Sequence, residues 1–192
     1  MAFLNEVELK SMGFKSLGEN VKISDKASIY NCEQIEIGNN SRIDDFCVIS
    51  GKIKLGNNVH IATHCLVGGG DEGITFEDFS GLAYHVQIFT RSDDYSGASM
   101  TNPTIPDEYK IVAKKEMIVG KHSIVGAGSI ILPGVNLAVG TSIGAMSIVR
   151  KSTKEWGVYL GNPAKRIKNR KKDLLKLEEQ YLSTSKSQHN KS

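Results

Sequence analysis

Two histidines, a pair of aspartates and a set of basic residues are the parts of this chain whose types and spacing could do chemistry. His64 and His85 each follow an aliphatic residue, Ile61 and Leu82, by three positions. If those aliphatics occupy equivalent places on successive coils of chain, the two imidazoles fall at one corner on adjacent strands, about 4.8 Å apart, with Phe46 one coil below. Two cationic rings so close would repel, so at least one is expected to be neutral at pH 7, able to act as a base or to contact a ligand. The plainer alternative is two exposed corner histidines with no role. Asp93 and Asp94 stand beside Arg91, Ser92 and Tyr95. They could accept a proton or hold a protonated amine, although a carboxylate with a pKa of about 4 is a weak base for a hydroxyl. Turn capping is the alternative there. Arg150, Lys151, Lys165 and Lys168 offer the kind of donors that hold phosphate groups. Taken alone, Lys165 and Lys168 with Arg166, Arg170, Lys171 and Lys172 also read as a solvated basic strand end and helix start. His60, His122 and His189 are expected outward or in the tail.

What must position these residues is a beat of six. A hydrophobic residue recurs at Ile37, Ile43, Ile49, Leu55, Ile61 and Val67, restarts at Phe76, Leu82 and Ile88, and again at Val119, Val125, Ile131, Leu137, Ile143 and Val149. All but Phe76 are Ile, Leu or Val. Two residues before most beats sits another small or aliphatic side chain, among them Cys47, Ile53, Val59, Cys65, Val86, Ser129 and Ser147. Side chains two apart on a strand point the same way, so both sets should fill the interior. Gly often follows the beat, as at Gly38, Gly56 and Gly126, which suits tight turns. Six is neither the helical period nor simple strand alternation. It is the repeat of a parallel β-helix, in which short strands coil about a narrow apolar axis. A β-sandwich fits poorly, because its turn signals come every 8–12 residues.

The predicted organisation is an N-terminal capping segment over residues 1–20, a β-helix over 21–170 and a C-terminal segment over 171–192. The first holds a short amphipathic helix at residues 3–12, with Leu4, Val7 and Met12 on one face and Gly13 as its stop. Such a helix would cover the edge of the first coil. The beat slips by two residues between Ile29 and Ile37, and GGGDEG at 68–73 inserts three, both read as corner bulges. It vanishes over residues 90–116, an extended loop whose prolines and tyrosines favour an ordered functional arm. A short helix is expected around 172–182, followed by a polar, disordered tail.

Composition closes off other classes. The 192 residues suit one domain, and a net charge of +3 is too weak to argue for nucleic acid. No apolar run is long enough for a membrane span, and the acidic N-terminus does not read as a secretory signal, so a cytoplasmic protein is expected. Cys47 and Cys65 lie eighteen residues apart, three beats, and should stack as buried reduced thiols.

Three segments carry a resemblance: VGKHSIVGAGSIILPGV (119–135), IGAMSIVRKS (143–152) and GNPAKRIK (161–168). Together they resemble the hexapeptide-repeat acyltransferases, in the maltose, galactoside and xenobiotic acetyltransferase branch. The loop DDYSG…TNPT is similar to that of a subgroup of bacterial surface-polysaccharide sugar acyltransferases. The resemblance implies an all-β, left-handed parallel β-helix, a homotrimer with active sites between neighbouring subunits, and coenzyme A lying along the coil axis. It places the pantetheine arm against Ala127 and Ala145, and the adenosine and phosphates against Arg150, Lys151, Lys165 and Lys168. The related acetyltransferases use a loop histidine as base, where this chain has Arg91, Ser92, Asp93 and Asp94. Asp93, Asp94 and His85 therefore stand as catalytic candidates, with His64, Tyr95 and Arg91 as substrate contacts. Without that histidine, an amine acceptor is favoured over a hydroxyl. The leading expectation is transfer of an acetyl or other short acyl group from acyl-CoA to the amino group of a dTDP- or UDP-linked sugar in surface-polysaccharide synthesis. The rivals are a sugar O-acetyltransferase, a xenobiotic acetyltransferase and a non-catalytic or zinc-binding trimer. No third histidine matches His64 and His85, so no metal is expected.

Overall fold

The computed structural model describes residues 2–189. They form a left-handed parallel β-helix of triangular section, with one face per strand type. The first face stacks Ser16–Leu17, Ile35–Ile37, Ile53–Leu55, Ile74–Phe76 and Met117–Val119 in parallel. The second face runs from Lys22–Ile23 through Arg42–Ile43, His60–Ile61, Gly81–Leu82, Ile124–Val125 and Ser142–Ile143 to Gly157–Leu160. It ends on Lys165–Asn169, which turns back antiparallel. The third face holds Ser28–Ile29, Val48–Ser50, Leu66–Gly68, Gln87–Phe89, Ile130–Ile131 and Ile148–Val149.

The six-residue beat fixes this register. All fifteen beat positions are at most 2 % exposed, and strand pairs bring like beats together, Leu55 under Phe76 under Val119. The residues two before them, Cys47 to Ser147, are buried as well. Where they are polar, the coil satisfies them internally: Ser129 and Ser147 both donate to the Gly144 carbonyl, at 3.1 and 2.8 Å. Cys47 and Cys65 are free and buried, each donating to a carbonyl at 3.0 Å.

At two of the corners the backbone turns through the left-handed region, which Asn40 (φ 57°) and Asn58 (φ 56°) adopt readily. Phe46, His64, His85 and His122 do the same with φ of 58–62°, a costlier choice that ring stacking offsets. Further along, Gly140 takes the corner because Trp156 lies across it; a Cβ there would come within 2.5 Å of the indole.

The first coil begins at Ser16, earlier than the expected residue 21, because Ser16 and Leu17 pair with Glu36 and Ile37. The N-terminal helix, α1, is Glu6–Ser11. Asn5 caps it by accepting from the amides of Val7 and Glu8, while the Glu8 carboxylate accepts from the Asn5 amide at 2.7 Å. This start sets the helical phase so that Leu9 meets the core and Val7 is 77 % exposed. Of the expected apolar face of Leu4, Val7 and Met12, only Val7 is therefore corrected; Leu4 packs against the core and Met12 is half-buried. Gly13 ends the helix with φ 73°, as its type predicted.

The C-terminal helix, α2, spans Leu174–His189, so residues 183–189 continue it where a disordered tail was expected. Residues 190–192 lie outside the described part. No helix among the described residues is long and apolar enough to cross a membrane.

Candidate functional site

The corner between the second and third faces carries the predicted histidine stack. The rings of His64 and His85 lie 4.7 Å apart and 3° from parallel, and Phe46 continues the column at 5.0 Å. The Lys26 ammonium caps it from below, 5.8 Å from the Phe46 centroid. Their αL backbone turns both imidazole rings outward into exposed positions, so their edges are available to a ligand.

The third face leads from this corner, through Gln87–Phe89, to the root of the predicted arm. Residues 91–93 and 112–114 pair as an antiparallel hairpin, Arg91 opposite Lys114 and Asp93 opposite Val112. The arm is ordered from within. Asp94 accepts from the amides of Ser96 (2.9 Å), Ala98 (3.1 Å) and Ser99 (3.2 Å) and from two serine hydroxyls. Those donors hold its carboxyl below the usual range. Asp93 accepts from the Asn102 amide at 2.9 Å. The capping alternative therefore describes what both aspartates do within the chain, and Asp94 stays ionised while doing it. Asp93, Arg91 and Tyr95 line a cavity of about 270 Å³ with Phe89, Ser92 and Val112. Tyr95, Met100, Tyr109 and Ile111 are exposed on the arm.

The guanidinium of Arg91 is engaged by Asp71 (2.5 Å) and Glu72 (2.9 Å) of the 68–73 bulge. Arg91 holds the Glu72 carboxyl below the usual carboxylate range, and both acids push Arg91 further up.

The structure thus builds two clusters and keeps them apart on one chain. Four residues, three of them the strand Gln87–Phe89, lie between His85 and Thr90 at the arm root, a span of up to roughly 16 Å at strand rise.

Ala127 and Ala145 sit on neighbouring coils beside that histidine corner, joined through the Met146 amide and the Ala127 carbonyl at 2.8 Å. The small side chains leave the backbone there open to an elongated ligand. Arg150, Lys151, Lys165 and Lys168 are exposed near the C-terminal end of the coil, and among the described residues no carboxylate lies within ion-pair distance of them. Such cations fit the phosphates of coenzyme A. Their neighbours Arg166 and Arg170 do not share that freedom. Arg166 binds Asn169 and the carbonyls of Glu155 and Trp156, and Arg170 donates to the carbonyls of His122 and Gly140.

A model of bacterial transferase hexapeptides, six repeats long, matches residues 34–69. The chain is 47 % identical over 181 residues, 93 % of its length and 94 % of the relative's, to a dTDP-4-amino-4,6-dideoxy-D-glucose acyltransferase of Escherichia coli. It belongs to the hexapeptide-repeat acyltransferases. Among solved structures it resembles AntD, an N-acyltransferase from Bacillus cereus in complex with dTDP and 3-hydroxybutyryl-CoA. That similarity is 44 % identity over 96 % of this chain and 98 % of that one, at TM-score 0.95. A single-residue variant of AntD in complex with dTDP-4-amino-4,6-dideoxyglucose and coenzyme A gives 45 % identity and TM-score 0.93 over 95 % and 97 %.

The acyltransferase has a further feature that its sequence pattern concealed. His122, expected outward, is only 8 % exposed because α2 folds back over the second face. Its ring stacks 5.3 Å from Phe79, and its Nε2 pairs with Glu178 of the helix at 2.8 Å. Lys121 reaches the same carboxylate at 2.6 Å. Burial opposes ionisation of Glu178, but these two partners outweigh it and hold the carboxyl below the usual range. The Tyr181 hydroxyl adds a bond to Asn58 at 3.0 Å. Between helix and face runs a largely apolar groove of about 760 Å³. Residues 56 positions apart give no local signal of such a clasp. His60 does stay half-exposed, paired with the buried Asp44 at 2.9 Å.

Proposed function

We propose that this acyltransferase moves a short acyl group from acyl-CoA to the amino group of a dTDP-linked amino-deoxy sugar, as a cytoplasmic homotrimer in bacterial surface-polysaccharide synthesis. The observation that carries the reading is the near-complete match, over 96 % of the chain, to an N-acyltransferase holding dTDP and an acyl-CoA. The absence of histidine from residues 90–116 supports it chemically. A neutral amine, with a pKa of about 8, attacks a thioester without a strong base. The C–N bond forms as the C–S bond breaks, the coenzyme leaves as its thiol, and the amine's surplus proton passes through a carboxylate or water.

In this reading Asp93 and Asp94 hold the amine, while His64, His85 and Tyr95 contact the sugar nucleotide. Ala127 and Ala145 flank the pantetheine, and Arg150, Lys151, Lys165 and Lys168 hold the phosphates. Support for the trimer comes from the third face, whose outward column of Val48, Leu66, Gln87, Ile130 and Ile148 is apolar at every position but Gln87. Such stripes mark contacts between subunits. A neighbour seated there lies between the histidine corner and the arm root, and would bring one subunit's arm to the other's corner.

The test offers acyl-CoA with paired amino and hydroxyl sugar nucleotides and follows product by mass spectrometry. Acylation of the amine alone is expected. Transfer only to hydroxyls contradicts the reading in favour of an O-acetyltransferase.

A further inference from the structure

We propose that Arg91, held between Asp71 and Glu72 of the neighbouring coil, is a positioning residue that sets the pose of the arm carrying Asp93 and Asp94. The kinetic consequence rests on the acyl-transfer reading above, whereas the structural consequence does not.

Three contacts make the clamp: Nη2 to Asp71 at 2.5 Å, Nε to Glu72 Oε2 at 2.9 Å, and Nη2 to Glu72 Oε1 at 3.4 Å. Thr90, fully buried at the arm root, reinforces it by donating to the Gly69 carbonyl at 2.9 Å, with Glu72 Oε2 3.2 Å away. The bulge is shaped for this approach. Gly70 has φ 54°, and a Cβ there would fall 2.6 Å from Arg91 Nε and from Glu72 Oε2 and 2.8 Å from Thr90 Oγ1. The GGGDEG insertion therefore gives a socket to the arm that leaves the coil one turn later.

A socket is needed because, among the described residues, no hydrogen bond or ion pair ties residues 94–113 to the coil. At the root, Lys115 donates to the Thr90 carbonyl at 3.0 Å, and the hairpin then projects from the body. The aspartates lie two and three residues beyond the pivot, up to roughly 10 Å at strand rise. A swing of about 6° would move a carboxylate at that radius by about 1 Å, a displacement that can cost on the order of 10²-fold in rate. The pair with Asp71 is open to water and the pair with Glu72 is only partly buried, and such ion pairs add little to global stability, so the clamp's value lies in geometry.

If Arg91 instead touched substrate directly, freeing it from its two acids would leave that contact in place. Arg91→Met and the pair Asp71→Asn, Glu72→Gln are therefore compared with the triple variant, in kinetics and in hydrogen exchange of residues 91–93 and 112–114. We expect each to lower kcat/KM for the amino-sugar acceptor by about 10- to 100-fold with the KM for acyl-CoA unchanged. The triple variant should be no worse than either, the signature of one shared interaction. Exchange in the hairpin should rise while the melting temperature holds, and Arg91→Lys should recover part of the loss. Full activity of the Asp71→Asn, Glu72→Gln pair beside an impaired Arg91→Met would overturn the proposal. So would unchanged hairpin exchange in all variants, or parallel losses in melting temperature and in both KM values. An unmutated protein inactive on every amino sugar would sink the function above, and the exchange data would still decide the clamp.

Discussion

Replacing Asp93 and Asp94 together with asparagine should lower kcat/KM toward an amino-sugar acceptor by about 10³-fold, the scale of losing a charge set against the reacting group. The substitution keeps side-chain volume and one acceptor oxygen, so much of the arm's internal bonding to Ser96, Ser99 and Asn102 survives. What it removes is charge. Ionised Asp94, favoured by its ring of donors, can attract an ammonium group and hold the amine at the thioester, a role that rests on its charge because the same donors make it a weaker base. The loss should therefore fall on the acceptor, with acyl-CoA binding unaffected. Steady-state kinetics on both substrates checks this. A double variant as active as the parent would dismiss the two aspartates.

The largest effect on stability is expected at Phe76. It is 0 % exposed, stacked between Leu55 and Val119, and the one aromatic among the beat positions. Phe76→Ala should cost about 3–5 kcal/mol, because each coil is bonded to the coils on either side and cannot close over the cavity. Denaturant unfolding at matched protein concentration measures it. A loss below about 1 kcal/mol would mean that the coil axis collapses around a missing ring, against the stiffness argued here.

The coil and the histidine column were legible in the sequence because both follow from counting. A period of six, with the three-residue insertion at 68–73, places Ile61 below Leu82, and three residues later that same arithmetic places His64 below His85. The arm showed itself as a gap in the beat. The Arg91 clamp was legible in principle, since Gly70 and Arg91 stand 21 residues apart, the interval that separates Leu55 from Phe76, but Arg91 read more naturally as a substrate contact. The α2 clasp was not legible. It depends on where a helix lands after the backbone reverses at Lys165–Asn169, and neither His122 nor Glu178 carries a periodic mark of the other. The two clusters' separation was likewise invisible until strand lengths and corners were in place.

Mixing of two damaged forms tests most directly whether the site spans two subunits. His85→Ala spoils the corner and the Asp93→Asn, Asp94→Asn pair spoils the arm. Unfolded together and refolded as mixed oligomers, they should regain acyl transfer up to roughly a quarter of the parental sites, the fraction in which an intact corner meets a neighbour's intact arm. A mixture no more active than its two components would place both halves of the site on a single chain and contradict the account.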